Sequence, residues 1–191
     1  MADPRPLAAA SATLPSPWGP VVIVATARGV LAVELRSSAA AVRPVLRRRL
    51  GADVRLVDRT SAGEARRLLG QAVSAVRATL DGEPAALEDV PLDWSGVTAW
   101  DRRVLEGART IGRGRVTSYG RLARRIGAPG AARAVGAAMG RNPFWLLVPC
   151  HRVVAGDGSI GGYGDDPDGP EIKRGLLALE GIALQVADLV D

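Results

Sequence analysis

The stretch VTSYGRLARRIGAPGAARAVGAAMGRN, residues 116–142, decides the expected fold of the second half of this chain. Its apolar residues fit two short helices, over 118–126 and 131–139, with a glycine-containing turn over 127–130 between them. Two short helices joined in this way are typical of a helix-turn-helix. The second helix is almost entirely alanine and glycine, so its backbone can lie very close to a partner. Many helix pairs in ordinary proteins share this pattern, which therefore does not by itself decide DNA binding.

The charge distribution favours a nucleic-acid partner for the same stretch. The chain has a net charge of +5, but residues 100–152 hold eleven arginines against two acidic residues, whereas residues 153–191 hold two basic residues against eight acidic ones. A GC-rich genome would also favour arginine, but it would not concentrate the charge in one block. We therefore expect residues 100–152 to face a polyanion.

The first half of the chain predicts a small α/β unit. PVVIVATARGVLAVEL, residues 20–35, has two β-branched runs around a turn with glycine, which is a hairpin pattern. Residues 37–50 and 61–80 have helical composition or spacing, and ADVRLV, residues 52–57, is a third candidate strand. GEPAALEDVPLDWSG, residues 82–96, is acidic, aperiodic and proline-bearing, as expected of a linker.

Together these patterns predict an α+β fold with two domains. We expect a flexible tail over 1–12, a small N-terminal α/β domain with a short antiparallel sheet over 13–93, and a mostly helical C-terminal domain with the helix-turn-helix over 97–185. Thr98 is expected to cap the first helix of that domain, with Asp101 in its first turn. No apolar run is long enough to span a membrane, so no membrane partner is expected.

The segment FWLLVPCHRVV, residues 144–154, holds the chain's single cysteine, Cys150, and its single histidine, His151. One cysteine excludes an intramolecular disulfide, and one cysteine with one histidine cannot form a tetrahedral structural zinc site. We therefore expect no metal, and a reducing, cytoplasmic location.

Two interpretations of Cys150 remain open from its local sequence. A lone cysteine after an apolar run is most often a small buried side chain. Against this, His151 offers a proton acceptor, Arg152 adds positive potential that favours the thiolate, and a glycine-rich loop follows over 155–169. Adjacent side chains in an extended strand point apart, so direct contact between Cys150 and His151 is not guaranteed, and Glu180 is the remaining candidate to orient the imidazole.

Residues 97–182 resemble the O6-alkylguanine-DNA alkyltransferases, the methylated-DNA–protein-cysteine methyltransferases. The motifs VTSYGRLARRIG, AARAVGAAMGRNP, PCHRVV, DGSIGGYG and LLALEG occur in that family's order and at nearly its spacing. SPWGPVVIVATARGVLAVEL is similar to the start of its N-terminal domain. Five motifs in order are much more specific than any one of them.

The resemblance implies a DNA repair protein that flips O6-alkylguanine out of duplex DNA and transfers the alkyl group irreversibly to its own Cys150. Members of the family place the helix-turn-helix in the minor groove. The base must leave the stack because a protein sulfur cannot reach the alkyl carbon inside a duplex. Arg133 would take the place of the extruded base, on a helix whose small residues, including Ala132 and Gly136, allow close approach. The implied partner is double-stranded DNA with O6-alkylguanine; no cofactor, metal or membrane is implied, and the chain is expected to be a monomer, with cooperative binding on DNA left open.

The resemblance also implies the chemical roles. Cys150 attacks the alkyl carbon, His151 takes the thiol proton through a water, and Glu180 stabilises the imidazolium. Tyr119 helps to rotate the nucleotide and protonates the leaving guanine, and Asn142 braces the turn around the site. The remaining implied contacts to the base are main-chain groups of Cys150 and Val153, with Tyr163 and Gly164 on the loop side.

The sequence departs from some relatives in three ways. It lacks the cysteines of a second, zinc-bound DNA-sensing domain and the histidines of an N-terminal structural zinc site. The segment GDDPDGPEIK, residues 164–173, looks a few residues longer than expected and is acidic, so we expect it to point away from DNA.

Two other functions compete with alkyl transfer as explanations of these motifs. Alkyltransferase-like proteins recognise damaged guanine without chemistry, but they replace the cysteine, which is present here as Cys150. A thiol hydrolase would use the Cys150 and His151 pair but would leave the helix-turn-helix and its arginines unexplained.

Overall fold

The computed structural model describes residues 7–57, 63–164 and 167–183. In the first half, four strands and two helices follow in the order β1 Leu7–Leu14, β2 Val21–Thr26, β3 Gly29–Leu35, α1 Ala39–Leu50, β4 Val54–Val57 and α2 Gly63–Leu80. In the second half the elements are α3 Ala99–Arg109, β5 Thr117–Ser118, α4 Tyr119–Arg125, α5 Ala132–Gly140, β6 Val153–Val154 and α6 Gly169–Leu179. The predicted α+β class is confirmed. Within the described ranges no helix is long and apolar enough to cross a membrane.

The sheet of the first half has the strand order β3-β2-β1-β4. The predicted antiparallel arrangement is right for β3, β2 and β1, whereas β4 pairs with β1 in parallel. The prediction of a flexible tail over 1–12 is wrong from Leu7 onward, because Leu7–Leu14 form β1, which is hydrogen-bonded to both β2 and β4. The alanine-rich sequence of β1 did not indicate a strand, although Ala9 and Ala10 lie in the core. Residues 1–6 of that predicted tail lie outside the described residues, as do residues 61 and 62 of the predicted helix over 61–80.

Helices cover both faces of this sheet, which explains why every residue of β2 is buried and apolar or β-branched. Val42 and Leu46 of α1 pack on one face, against Val22, Val24 and Leu31. The other face belongs to a larger core shared by α2 and the second half of the chain, and its members include Ile23, Val33, Leu69, Val104, Leu122, Phe144 and Leu176. The two halves are therefore packed through one continuous core.

The outer edge of β3 is occupied by two segments from elsewhere in the chain. Pro91 and Asp93, within the segment expected to be a linker, exchange main-chain hydrogen bonds with Val30 at 2.8 and 2.7 Å. Further along the edge, Val33 donates to the Pro143 carbonyl and accepts from the Trp145 amide, at 2.8 and 3.1 Å. The predicted linker is thus part of the sheet edge at this point, and the run that leads to Cys150 is anchored on the same strand.

The helices of the second half begin and end close to their predicted limits. Thr98 caps α3 by accepting a hydrogen bond from the Asp101 amide at 3.1 Å, as expected. Helices α4 and α5 lie within one residue of the predicted pair, and Gly127 and Gly130 between them have φ angles of 69° and 85°, which favour glycine. The function of this pair as a helix-turn-helix stays a prediction.

Candidate active site

Cys150 follows a tight turn that places it at the edge of the shared core. Leu146, fully buried, has a φ of 66°, a left-handed conformation that is uncommon for a leucine. Asn142 holds this turn from both sides: its amide oxygen accepts from the Phe144 amide at 2.9 Å, and its Nδ2 donates to the Val148 carbonyl at 3.2 Å. The same Nδ2 lies 3.4 Å from the Cys150 sulfur, to which it donates. Asn142 therefore both braces the turn and contacts the sulfur of Cys150.

The sulfur of Cys150 lies in surroundings that favour the thiol at rest. The residue keeps partial exposure, toward the cavities described below, but the dense atoms around it raise the pKa of the thiol. The Asn142 amide and the charge of Lys173 act in the opposite direction. Arg152 was expected to supply that positive potential, and this expectation is wrong, because its guanidinium is bound elsewhere.

Glu180 is the residue that binds both His151 and Arg152. Its Oε1 lies 2.8 Å from His151 Nε2, and its two carboxylate oxygens accept from Arg152 Nε and Nη2 at 2.8 to 3.0 Å. Burial raises the pKa of Glu180, but the hydrogen bonds from His151 and Arg152 outweigh it and lower that pKa to about 2. The carboxylate is therefore ionised, and it fixes the imidazole as the tautomer that carries its proton on Nε2.

The remaining ring nitrogen of His151 is left as a proton acceptor. The residue is fully buried, and Nδ1 has no hydrogen-bond partner among the described residues. Burial lowers the pKa of His151, against the effect of Glu180, so the neutral ring is favoured at rest. His151 pairs with Glu180 and does not hydrogen-bond to Cys150 directly, but the extended-strand argument is wrong about the cause, because Cys150–Arg152 form a short 3-10 helix and not a strand.

Lys173, which the sequence reasoning missed, lies under the site. It is fully buried, donates from Nζ to the Val153 carbonyl at 2.7 Å, and lies 5.8 Å from the centre of the Tyr119 ring. Burial lowers its pKa to about 8, although Cys150 has the opposite effect. Its sequence signal was available, since it is the single lysine in a chain with 24 arginines. Both main-chain groups of Val153 already have partners: the amide donates to the Cys150 carbonyl, and the carbonyl accepts from Lys173. A guanine amine that binds the Val153 carbonyl, as the family resemblance implies, would therefore have to use the second lone pair of its oxygen.

Two cavities meet at the sulfur. The helix-side cavity has a volume of about 430 Å³. It is lined by Tyr119, Gly136, Ala137, Met139, Gly140, Arg141, Cys150, Gly162, Tyr163 and Gly164. A side chain at Gly136 would begin 3.8 Å from the Tyr119 ring, so α5 and Tyr119 are close neighbours in this wall. Burial and Cys150 raise the pKa of Tyr119, which keeps its hydroxyl protonated and able to donate.

The sheet-side cavity, of about 260 Å³, also reaches Cys150. It is lined by Glu34, Leu35, Met139, Gly140, Asn142, Trp145, Cys150, Tyr163, Gly164 and Ile172. Tyr163 and Gly164, predicted from the loop, line both cavities. The sequence shows Trp145 only as part of an apolar run and does not predict its position at this cavity.

The outer surface of α4 and α5 is basic and lies beside the helix-side cavity. Arg124 and Arg125 of α4 and Arg133 of α5 are exposed, and Ala132 is partly exposed. Arg133 is on the first turn of α5, and Gly136, one turn further, lines the cavity. Most of the predicted residues lie near Cys150. Cavities that reach this residue are lined by Asn142, Tyr119, Gly136, Tyr163 and Gly164, the Val153 amide donates to its carbonyl, and His151 and Glu180 form the buried pair next to it. Arg133 and Ala132 lie on the exposed surface outside this group.

Comparisons with known proteins agree with this arrangement. Residues 99–182 match the family model of the 6-O-methylguanine DNA methyltransferase DNA-binding domain. The chain is 43% identical over 134 residues to the methylated-DNA–protein-cysteine methyltransferase of Mycolicibacterium paratuberculosis. The aligned region covers 67% of this chain and 78% of the relative. It is 39% identical over 113 residues to the protein of the same name from Methanothermobacter thermautotrophicus, covering 59% of this chain and 61% of that one.

Solved structures resemble the chain over nearly its whole length. The crystal structure of Mycobacterium tuberculosis OGT in complex with DNA matches with a TM-score of 0.67 and 34% identity, over 91% of this chain and 92% of that one. The O6-methylguanine methyltransferase of the same organism matches with a TM-score of 0.68 and 33% identity, over 90% and 92%.

Proposed function

The chain belongs to the 6-O-methylguanine DNA methyltransferase family, and we propose that it repairs O6-alkylguanine in double-stranded DNA by transferring the alkyl group to its own Cys150. The observation that carries this proposal is the position of the Cys150 sulfur. It borders a cavity of about 430 Å³, between Tyr119 and the loop at Tyr163, beside a basic helical surface. A flipped base fits such a cavity, which a base inside a duplex could not reach.

His151 acts as the base that activates the thiol. Because burial raises the pKa of Cys150, the thiol must lose its proton as it attacks. The neutral imidazole has an unpartnered Nδ1 that takes this proton through a water, and the ionised Glu180 on Nε2 stabilises the imidazolium that results. Lys173 adds positive charge that favours the developing thiolate.

The transfer exchanges one bond for another. The Cys150 sulfur forms a bond to the alkyl carbon while the bond from that carbon to O6 breaks, and the leaving guanine needs a proton. The Tyr119 hydroxyl, held protonated by its surroundings, donates it. In the balance the thiol proton ends on guanine and the alkyl group on sulfur. A thioether is stable in water, so each molecule acts once.

The exposed arginines of α4 and α5 hold the duplex. Phosphate contacts position a protein on DNA without reading sequence, which suits a repair protein. We propose that α5 enters the minor groove, that its small residues Ala132 and Gly136 permit the approach, and that Arg133 fills the space left by the extruded base. We propose a monomer that acts in the cytoplasm.

Mass measurement tests the transfer directly. The full chain is incubated with a duplex that contains a single O6-methylguanine, and the intact protein and its peptides are weighed. We expect the peptide with Cys150 to gain one methylene unit, in proportion to the protein present and not beyond it. Repeated turnover, or an unmodified protein tightly bound to the lesion, would contradict the proposal.

A variant separates chemistry from recognition. Cys150→Ala should abolish transfer while retaining lesion binding, since the alanine leaves both cavities and the arginine surface in place. Loss of binding together with transfer would contradict the separate roles proposed for the sulfur and the helical surface.

A further inference from the structure

The loop between α3 and β5 contacts the buried carboxylate of Glu180. Its sequence is GRGR, residues 112–115, and Gly114 has a φ of 73°, which favours glycine. The Gly114 amide donates to Oε2 of Glu180 at 3.2 Å. The carbonyl of Ile111, just before the loop, accepts from the guanidinium of Arg152. Main-chain groups at this loop therefore hold both the carboxylate and the cation that pairs with it.

The side chain of Arg113, in the same loop, binds the end of α6. Its Nη2 donates to the Leu179 carbonyl at 2.5 Å. Leu179 is the last residue of α6, and the last four carbonyls of a helix have no partner within it. A cation at this end also interacts favourably with the partial negative charge of the helix terminus. Arg113 thus caps α6 at the residue directly before Glu180.

The same guanidinium also binds the first half of the chain. Its Nη2 donates to the Gly82 carbonyl at 2.6 Å, and its Nη1 donates to the Glu83 carbonyl at 3.3 Å. Both residues follow the end of α2 at Leu80. A side chain at Gly82 would begin 3.9 Å from the Leu179 carbonyl oxygen, so the two chain segments are close neighbours here. Arg113 therefore joins the end of α2 to the end of α6.

Glu180 depends on this end of α6 for its position. It follows the last residue of the helix, and its side chain is 1% exposed. Helix ends fray, so a carboxylate placed one residue past the last turn is only as well fixed as that turn. A small displacement of a group that orients a reacting group reduces the rate by a large factor. Holding the Leu179 carbonyl therefore helps to hold the carboxylate that pairs with His151.

We propose that Arg113 is a positioning residue for the alkyl transfer, and that through it the first half of the chain keeps Glu180 aligned with His151. The inference rests on the proposed function. Arg113 is not among the described residues that line the two cavities at Cys150, so it touches neither the base nor the sulfur. It acts on the carboxylate through the end of α6, and the carboxylate acts on the imidazole that receives the thiol proton.

Single-turnover rates with and without DNA test the proposal. They are measured on O6-methylguanine in a duplex and as the free base, with the full chain, Arg113→Met and Arg113→Lys. We expect Arg113→Met to lower both rates about tenfold, because a displaced carboxylate orients the imidazole less well. Arg113→Lys should recover part of the rate, since an ammonium on a flexible stem can bind one carbonyl but lacks the planar fork that holds three. A loss on duplex DNA alone would assign Arg113 to phosphate contact and overturn the proposal.

Arg109→Met is the matched control. Arg109 Nη2 also donates to three carbonyls beyond α2, those of Leu87, Glu88 and Val90, at 2.8 to 3.0 Å, and all three lie outside α6. Chemical denaturation establishes a temperature at which both variants are folded, and their free-base rates are compared there. Arg109→Met should leave the rate unchanged. An equal loss in both variants, or no loss in Arg113→Met, would overturn the proposal.

A double variant shows whether Arg113 acts through the carboxylate. In a chain that already carries Glu180→Gln, Arg113→Met should cause a much smaller further loss of rate, because the acid that it positions has been removed. If the two losses multiplied in full, Arg113 would act independently of Glu180, which would overturn the proposal. If the unmodified chain transferred no methyl group, the proposed function itself would fail, and this result is distinct from any change confined to the Arg113 variants.

Discussion

The imidazole of His151 and the carboxylate of Glu180 are joined by a buried contact of 2.8 Å between Nε2 and Oε1. Arg152 binds the same carboxylate, so one ionised acid compensates a guanidinium and also fixes the ring beside the reactive cysteine. Stability and reactivity therefore depend on the same carboxylate.

Glu180 should make the free energy of unfolding depend on pH in the acid range. Its pKa lies at about 2 in the folded chain against 4.5 in the ordinary carboxyl, so the unfolded state binds the proton first as the pH falls. Its stabilising contribution is complete above about pH 4.5 and is lost as the pH falls toward about 2, which amounts to about 2 to 4 kcal/mol. Chemical denaturation at a series of pH values measures it. The difference in the free energy of unfolding between wild type and Glu180→Gln should shrink over this range, and a constant difference would contradict the assignment.

The same substitution should slow the transfer of the alkyl group. Without the carboxylate the imidazolium loses its stabilising partner, and the neutral ring is no longer held with its proton on Nε2. We expect Glu180→Gln to reduce the single-turnover rate by about a hundredfold at neutral pH, within the range that a positioned base contributes. Partial recovery in Glu180→Asp, and a changed pH dependence of the rate, distinguish this positioning role from a general loss of structure. A rate profile that falls equally at every pH would indicate damage to the fold instead.

Lys173 should make the thiol easier to ionise. Its buried ammonium lowers the pKa of Cys150 against the effect of burial. Lys173→Met removes the charge and keeps most of the volume, so the pKa of the thiol should rise and the reaction with iodoacetamide should need a higher pH. Arg174→Met is the control, because it removes a charge from an exposed position on the same helix. An equal shift in both variants would mean that net charge, and not the position of Lys173, is responsible.

Much of this arrangement was predictable from sequence because its signals are local. The glycine turn at 127–130 limits two helices, Thr98 caps a third, and the residues of the PCHRVV motif are contiguous. What could not be predicted depends on contacts between distant segments. Arg152 was expected at the sulfur, but Glu180, 28 residues later, binds its guanidinium. Lys173 reaches the site only because α6 packs under Val153, and β1 was missed because alanines become buried only once β2 and β4 flank them.

Packing between the halves of the chain should be sensitive at Gly175. A methyl carbon there would lie 2.4 Å from the ring of Trp18, far inside normal contact, so Gly175→Ala must displace the indole or α6. We expect a loss of about 1 to 3 kcal/mol in the free energy of unfolding, as is typical of overpacking. Gly140→Ala is a matched control in α5, where a methyl carbon would meet no atom within 4 Å. In the double variant with Trp18→Ala, the free energy of unfolding should fall by less than the sum of the two single losses, and a strictly additive loss would assign the cost to α6 itself.

Arg133 should matter for extrusion of the base more than for holding the duplex. It is exposed on the first turn of α5, one turn before Gly136 in the wall of the helix-side cavity, and we propose that a base leaving the stack passes it. Arg133→Ala should therefore slow transfer from O6-methylguanine in duplex DNA at saturating protein, while transfer from the free base is largely kept. Arg124→Ala removes an exposed charge from α4 and should instead weaken duplex binding, with little effect on the transfer rate at saturating protein. The number of counterions released on binding, obtained from the salt dependence of the affinity, should fall by about one. If Arg133→Ala slowed transfer equally from duplex DNA and from the free base, this arginine would support the site itself. A residue that only fills the space left by an extruded base has no role when the substrate is a free base.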